Sequence, residues 1–136
     1  MRRTRQKPKR LLTEVELEFM TILWRLGEAS VRDLLDELAR ERRLAYTSAA
    51  TILRILEQKG FVTSRRLGRT YLYAPSLAKD EYQSRSLQDI SKKLFDDTPA
   101  ALVSRLIDDE ALSDEALAEI RKLLDEKLKQ IGRAHV

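Results

Sequence analysis

Residues 45–74 read AYTSAATILRILEQKGFVTSRRLGRTYLYA, and their reading decides the fold. Thr47, Thr51, Arg54 and Gln58 recur at helical spacing, with Ala49, Ile52, Leu53 and Leu56 on the other side. Such a helix buries one face and presents hydrogen-bonding groups on the other. It should span about Thr47 to Lys59 and close at Gly60. Two runs of β-type composition follow, Phe61–Arg66 and Thr70–Ala74, joined by Leu67-Gly68-Arg69 and ended by Pro75. That spacing suits a hairpin with glycine at a left-handed position. A polar stripe alone is weak evidence, because most surface helices carry one. A hairpin with Arg65, Arg66 and Arg69 directly behind it makes the stripe far more specific.

Upstream, Thr13-x-x-Glu16 is a capping box that opens a first helix, running to Leu26 with Gly27 as its stop. Val15, Phe19, Ile22 and Leu26 form one apolar stripe, and Leu17, Met20 and Trp24 another, so this helix should lie between two layers. Trp24 reads as a core residue. Glu28–Ser30 is a short extended link, and Ser30 with Asp33 starts a second helix that continues to about Arg43. The order is helix, short strand, helix, helix, hairpin, the order of a winged helix-turn-helix.

In that fold the third helix enters the major groove. Thr47 and Thr51 can bond phosphates or base edges, and Arg54 can take guanine or hold a phosphate. Ser48 and Gln58 flank the site. Arg65, Arg66 and Arg69 on the wing would grip the backbone and add salt-dependent affinity with little sequence information. Tyr46 packs or touches the DNA backbone. Tyr71 and Tyr73 alternate on one side of the second strand, and packing of the wing onto the helices is their expected role.

Beyond Pro75 the pattern is helical again: Leu77 to Phe95, Thr98 to about Ile107, and a last helix opened by Ser113. Leu117, Ile120, Leu124, Leu128 and Ile131 recur at three- and four-residue steps along it. Three helices after a complete winged domain have little else to cover, so a second copy of the chain is the economical partner. The expected architecture is mainly α with a small β-wing. A basic arm (1–10) precedes a winged-helix domain (11–75), and a helical dimerisation tail (76–136) follows.

Charge divides along the same line. Residues 1–75 carry +7 and residues 76–136 carry −3, within a total of +4. A front portion for a polyanion and a back portion for something else fit that asymmetry. The arm MRRTRQKPKR holds six basic residues and no acid; it either aids solubility or adds phosphate or minor-groove contacts. No apolar run is long enough for a bilayer span or a signal peptide, and there is no cysteine, which fits a reducing cytoplasm. The one histidine, His135, sits at the C-terminal end, and glycine is too scarce for a phosphate cradle. An enzyme, a cofactor and a metal site are therefore not expected; Asp108-Asp109-Glu110 reads as a solvated loop.

Several segments together resemble the penicillinase-repressor family. They are Leu12–Glu16 through Ile22-Leu23-Trp24, the run Ala45–Arg54, the Glu57–Val62 junction, and Leu112–Glu115 with its following helix. The resemblance spans roughly residues 11–128. It implies a dimeric winged-helix repressor on a dyad-symmetric operator of antibiotic-resistance or stress-response genes. It also implies a membrane sensor-protease pathway that cleaves the helical tail, with Arg105–Leu106 as the corresponding bond. The residues at that bond differ from the Asn-Phe of the staphylococcal repressors, and the chain lacks the cysteine-rich tail of the copper-responsive branch. Ala50 stands where the staphylococcal repressors carry a basic residue, which implies a different operator preference. The alternative is a winged helix that serves protein contacts without specific DNA binding, a use that needs neither basic arm nor basic wing.

Overall fold

The computed structural model describes residues 11–38 and 43–134. The basic arm, residues 39–42, over which the second helix was expected to continue, and His135 lie outside them. Six helices and one hairpin follow in the order α1 (Glu14–Leu26), α2 (Val31–Leu38), α3 (Tyr46–Gln58), β1 (Val62–Leu67), β2 (Thr70–Pro75), α4 (Lys79–Leu94), α5 (Pro99–Asp108) and α6 (Asp114–Ala134). Packing divides the chain into two units, Met1–Ser86 and Leu87–Val136, with the break inside α4.

The first unit is built around one core. Phe19, Met20 and Leu23 of α1 are fully enclosed with Leu34 of α2, Leu53 and Leu56 of α3, and Phe61 at the foot of the wing. Where a short strand was expected between α1 and α2 there is a single bridging residue, Ala29. Its amide donates to Tyr73 O at 2.9 Å and its carbonyl accepts from the Tyr73 amide at 2.8 Å, an isolated bridge beside the two-stranded sheet. The hairpin register pairs Val62 with Pro75 and Leu67 with Thr70, leaving only Gly68 and Arg69 in the turn. Gly68 has φ +63°, the left-handed value that a two-residue hairpin turn demands at its first position. The turn is one residue tighter than the sequence suggested, because Leu67 joins the ladder.

The start of α4 belongs to this unit. Trp24 donates its indole N–H to Leu77 O at 2.9 Å and sits 5.8 Å from the Tyr82 ring. Phe61 meets Tyr82 edge-on at 6.1 Å, and the Tyr82 hydroxyl accepts the Leu12 amide at 2.9 Å. Trp24 is thus a packing residue, as expected. The two-layer expectation for α1 holds only in part. Met20 is enclosed, but Leu17 is 39% exposed and Leu26 40%. Leu17 lines an open groove against α2, where Ile22 and Leu38 sit beside Glu14, Arg25 and Glu37.

Local signals placed the helix starts. Thr13 and Glu16 form the reciprocal capping box, and Ser30 and Asp33 form a second, at 3.0 and 3.1 Å. Ser113 Oγ accepts the Ala116 amide at 3.1 Å to cap α6. Thr98 departs from expectation. Its hydroxyl turns back to Asp96 O at 3.3 Å and caps nothing, so Pro99 alone supplies the favourable first position of α5.

Glu16 does more than cap. Its second oxygen accepts Lys59 Nζ at 2.7 Å, tying the start of α1 to the end of α3. Burial pushes its carboxyl up, but hydrogen bonds from Lys59 and Thr13 outweigh that and hold it below the ordinary 4.5. A depressed folded value stabilises the fold above the unfolded value and is lost as pH falls through the folded one. Glu16→Gln should therefore cost about 1–3 kcal/mol at neutral pH. The gap to wild type should narrow below about pH 4. Urea midpoints at both pH values check this, and a pH-independent gap would remove the ionic role.

Candidate nucleic-acid interface

α3 is fixed by Ala49, Leu53 and Leu56, which are buried, with Ala50 and Ile52 packed at the margin. Those anchors leave Thr47, Ser48, Thr51, Arg54 and Gln58 exposed on the outer side. Ile55 joins them at 38% exposure, and nothing in the apolar pattern singled it out. Its spacing of seven residues from Ser48, four from Thr51 and three from Gln58 was the available signal. Thr51 donates its hydroxyl to Thr47 O at 2.9 Å, so it turns a lone pair and its methyl outward. Arg54 makes no hydrogen bond or ion pair among the described residues, which leaves all its donors for a ligand. The N-cap, Ala45, has no side-chain hydrogen bond to offer the first-turn amides.

The wing stands against α3. Ser64 Oγ donates to Glu57 Oε2 at 2.6 Å, which turns the Ser64 face of β1 toward the helix. Alternation places Arg66 on that face, with Tyr71 and Tyr73 opposite Arg66 and Ser64. The two tyrosines part company. Tyr73 packs on the core and neighbours Glu57, Arg54, Tyr46 and Tyr71. Burial pushes its phenol up and the Glu57 charge adds to this, with Arg54 opposing. Tyr71, expected to pack, is 52% exposed, because it lies nearer the turn, beyond the reach of α3. Tyr46 is exposed at the start of α3.

The three wing arginines differ as well. Arg69, in the turn, has no partner among the described residues. Arg66 donates Nε to Gly68 O at 2.9 Å and keeps its remaining donors outward. Arg65 lies on the opposite face and donates Nε and Nη2 to the two oxygens of Glu28, both at 2.7 Å. Those hydrogen bonds hold the Glu28 carboxyl below the usual carboxylate range and the Arg65 guanidinium above its own.

The second unit has a different character. Ser91 is the one buried residue among its described positions. On α6, Leu117 and Ile120 are half-buried, whereas Leu124 and Leu128 are 55% and 63% exposed. Leu87, Ile90 and Leu94 of α4 and Val103, Leu106 and Ile107 of α5 are exposed too, so the apolar surface is wider than the α6 stripe. Arg105 and Leu106 both lie inside α5. No helix among the described residues is long and apolar enough to cross a membrane.

Comparison with known proteins agrees with this arrangement. Residues 12–126 match the family model described as penicillinase repressor. The penicillinase repressor of Bacillus licheniformis is 22% identical over 115 residues, covering 85% of this chain and 90% of its own. The methicillin resistance regulatory protein MecI of Staphylococcus aureus (strain Mu50 / ATCC 700699) is 22% identical over 116 residues, covering 85% and 94%. Among solved structures, the DNA-binding domain of the repressor BlaI superposes with a TM-score of 0.50 at 23% identity. It covers 57% of this chain and 93% of that domain, and shows the fold of the winged unit.

Proposed function

Since the chain belongs to the penicillinase repressor family of transcriptional repressors, which are not enzymes, we propose that it acts as a dimer on a dyad-symmetric operator. One observation carries the reading: α3 offers an unbroken exposed face of Thr47, Ser48, Thr51, Arg54 and Gln58 beside a wing bearing Arg66 and Arg69. Arg54 reads a base edge with its unengaged guanidinium, and Thr51 contributes its methyl and lone pair. Tyr46, Arg66 and Arg69 hold phosphates on either side. Two copies joined through their second units set two such helices on two half-sites. The work is cytoplasmic, on operator DNA. Should proteolysis end repression at Arg105–Leu106, α5 has to open locally before a protease can thread that bond.

Gel-shift titration against promoter fragments from the gene's own neighbourhood tests the reading. Competition-resistant binding to one fragment is expected. Binding to none, or to all alike, would favour a winged helix used for protein contacts. Arg54→Ala should cost about 1–3 kcal/mol on the preferred fragment and less on random DNA. Thr51→Ala should cost less than Arg54→Ala, because its hydroxyl proton is already spent on Thr47 O. Equal losses on both DNAs would mean that these residues only hold phosphates.

A further inference from the structure

Arg65 is the wing arginine that the fold has already claimed. It sits on β1 opposite Leu72, and reaches across β2 to Glu28, the neighbour of Ala29. Ala29 is the residue that bridges to Tyr73 on the far edge of β2. The guanidinium therefore straps three extended segments together, from β1 over β2 to the link between α1 and α2. On the opposite face, Ser64 ties β1 to Glu57 of α3. The wing is thus held from both sides, once by a neutral hydroxyl and once by a two-point charged clasp.

We infer that Arg65 is a positioning residue, which sets the pitch of the wing relative to α3 through Glu28 instead of gripping DNA phosphate. Three observations support the assignment. Nε and Nη2 each donate to a different oxygen of Glu28, the two-point geometry that suits a planar guanidinium and a carboxylate. Its side of the sheet is the one turned away from α3, whereas Arg66 shares the α3 side. Glu28 is an acid that would repel a phosphate at the same spot, so Arg65 and Glu28 together present no net charge to DNA. Only the orientation of Arg66, Tyr71 and Arg69 depends on them.

The inference rests on the DNA-binding reading for its consequence, but the clasp can be tested without DNA. In the free protein, Arg65→Gln and Glu28→Gln should each speed hydrogen exchange of the wing amides by a similar factor, leaving α1 and α3 unchanged. Unaltered wing exchange in both variants overturns the strap, whether or not the protein binds DNA. With a duplex enriched from random sequence by the wild-type protein, each single variant should weaken binding by about two- to fivefold. The double variant should be no worse than either single one, because both remove the same clasp. The slope of log affinity against log salt should stay at the wild-type value in Arg65→Gln. In Arg66→Gln and Arg69→Gln it should fall by about 0.9 each. A similar fall in Arg65→Gln, or tighter binding by Glu28→Gln, would make Arg65 a phosphate contact and refute the assignment. The charge swap Glu28→Arg with Arg65→Glu should restore slow exchange in the wing, and its failure to do so counts against the clasp. A wild-type protein that enriches no duplex, yet shows the exchange pattern, retires the repressor reading and leaves the strap standing.

Discussion

A chain carrying Leu124→Asp is expected to sediment as a monomer and to lose about a hundredfold or more in affinity for a two-half-site operator. The second unit encloses almost nothing by itself, with Ser91 its one buried residue among those described. Helices whose leucines stand in water gain stability only when that surface is covered, and Leu124 and Leu128 lie in the middle of the longest uncovered stripe. A carboxylate placed there must be desolvated for the two copies to meet, at a cost of several kcal/mol. Losing the dimer then turns one bivalent binding event into two separate ones, and linkage of that kind is worth about 10² to 10⁴ in affinity. The first unit has its own core, so binding to a single half-site should survive. Sedimentation velocity and anisotropy on whole and half operators check both parts. A variant that stays dimeric would move the interface to the Leu87, Ile90 and Leu94 stripe of α4 or the exposed face of α5.

Phe61→Ala is expected to be the most damaging single truncation in the first unit, at about 3–5 kcal/mol. Phe61 is fully enclosed and lies where three elements meet. Its amide donates to Leu56 O at 2.9 Å, its carbonyl accepts the Ser76 amide at 2.8 Å, and its ring packs edge-on to Tyr82 of α4. The end of α3, the root of the wing and the start of α4 meet at this one residue, whose ring lies in the common core. Truncation leaves a cavity that none of them can close alone. Against a total stability of about 5–15 kcal/mol, such a loss leaves part of the protein unfolded at rest. DNA binding should fall in proportion to that fraction. Tyr71→Ala offers the contrast, since its half-exposed ring should cost less than about 1 kcal/mol. Chemical denaturation of both variants decides the matter, and a loss below 1 kcal/mol at Phe61 would disprove the shared junction.

Much of the fold was legible because its signals are local. A capping box needs residues three apart, a helical face repeats every three or four, and a two-residue turn needs glycine at one position. Thr13, Ser30, Ser113 and Gly68 carried such signals, and the helices and the wing lie where they indicated. The exposed face of α3 was legible for the same reason, since the buried Ala49, Leu53 and Leu56 compel Thr47, Thr51, Arg54 and Gln58 outward. Ile55 escaped notice because an apolar residue at the edge of such a face carries no marker of its own.

What the sequence determined by itself was the order of elements, the buried sides of α2 and α3 and the polarity of the α3 surface. Tertiary structure decided which charges remain available. Arg65 and Arg69 look alike in sequence, yet Glu28, 37 residues upstream, claims the first, and the second has no partner among the described residues. Lys59 closes the α3 end only because Glu16, 43 residues away, comes beside it. Tyr73 packs and Tyr71 does not, since the reach of α3 along the wing ends between them. Backbone geometry propagates a pattern over a few residues and fixes the former. The partner of a long charged side chain is fixed by where a remote segment passes, and that place is known only once the chain has packed.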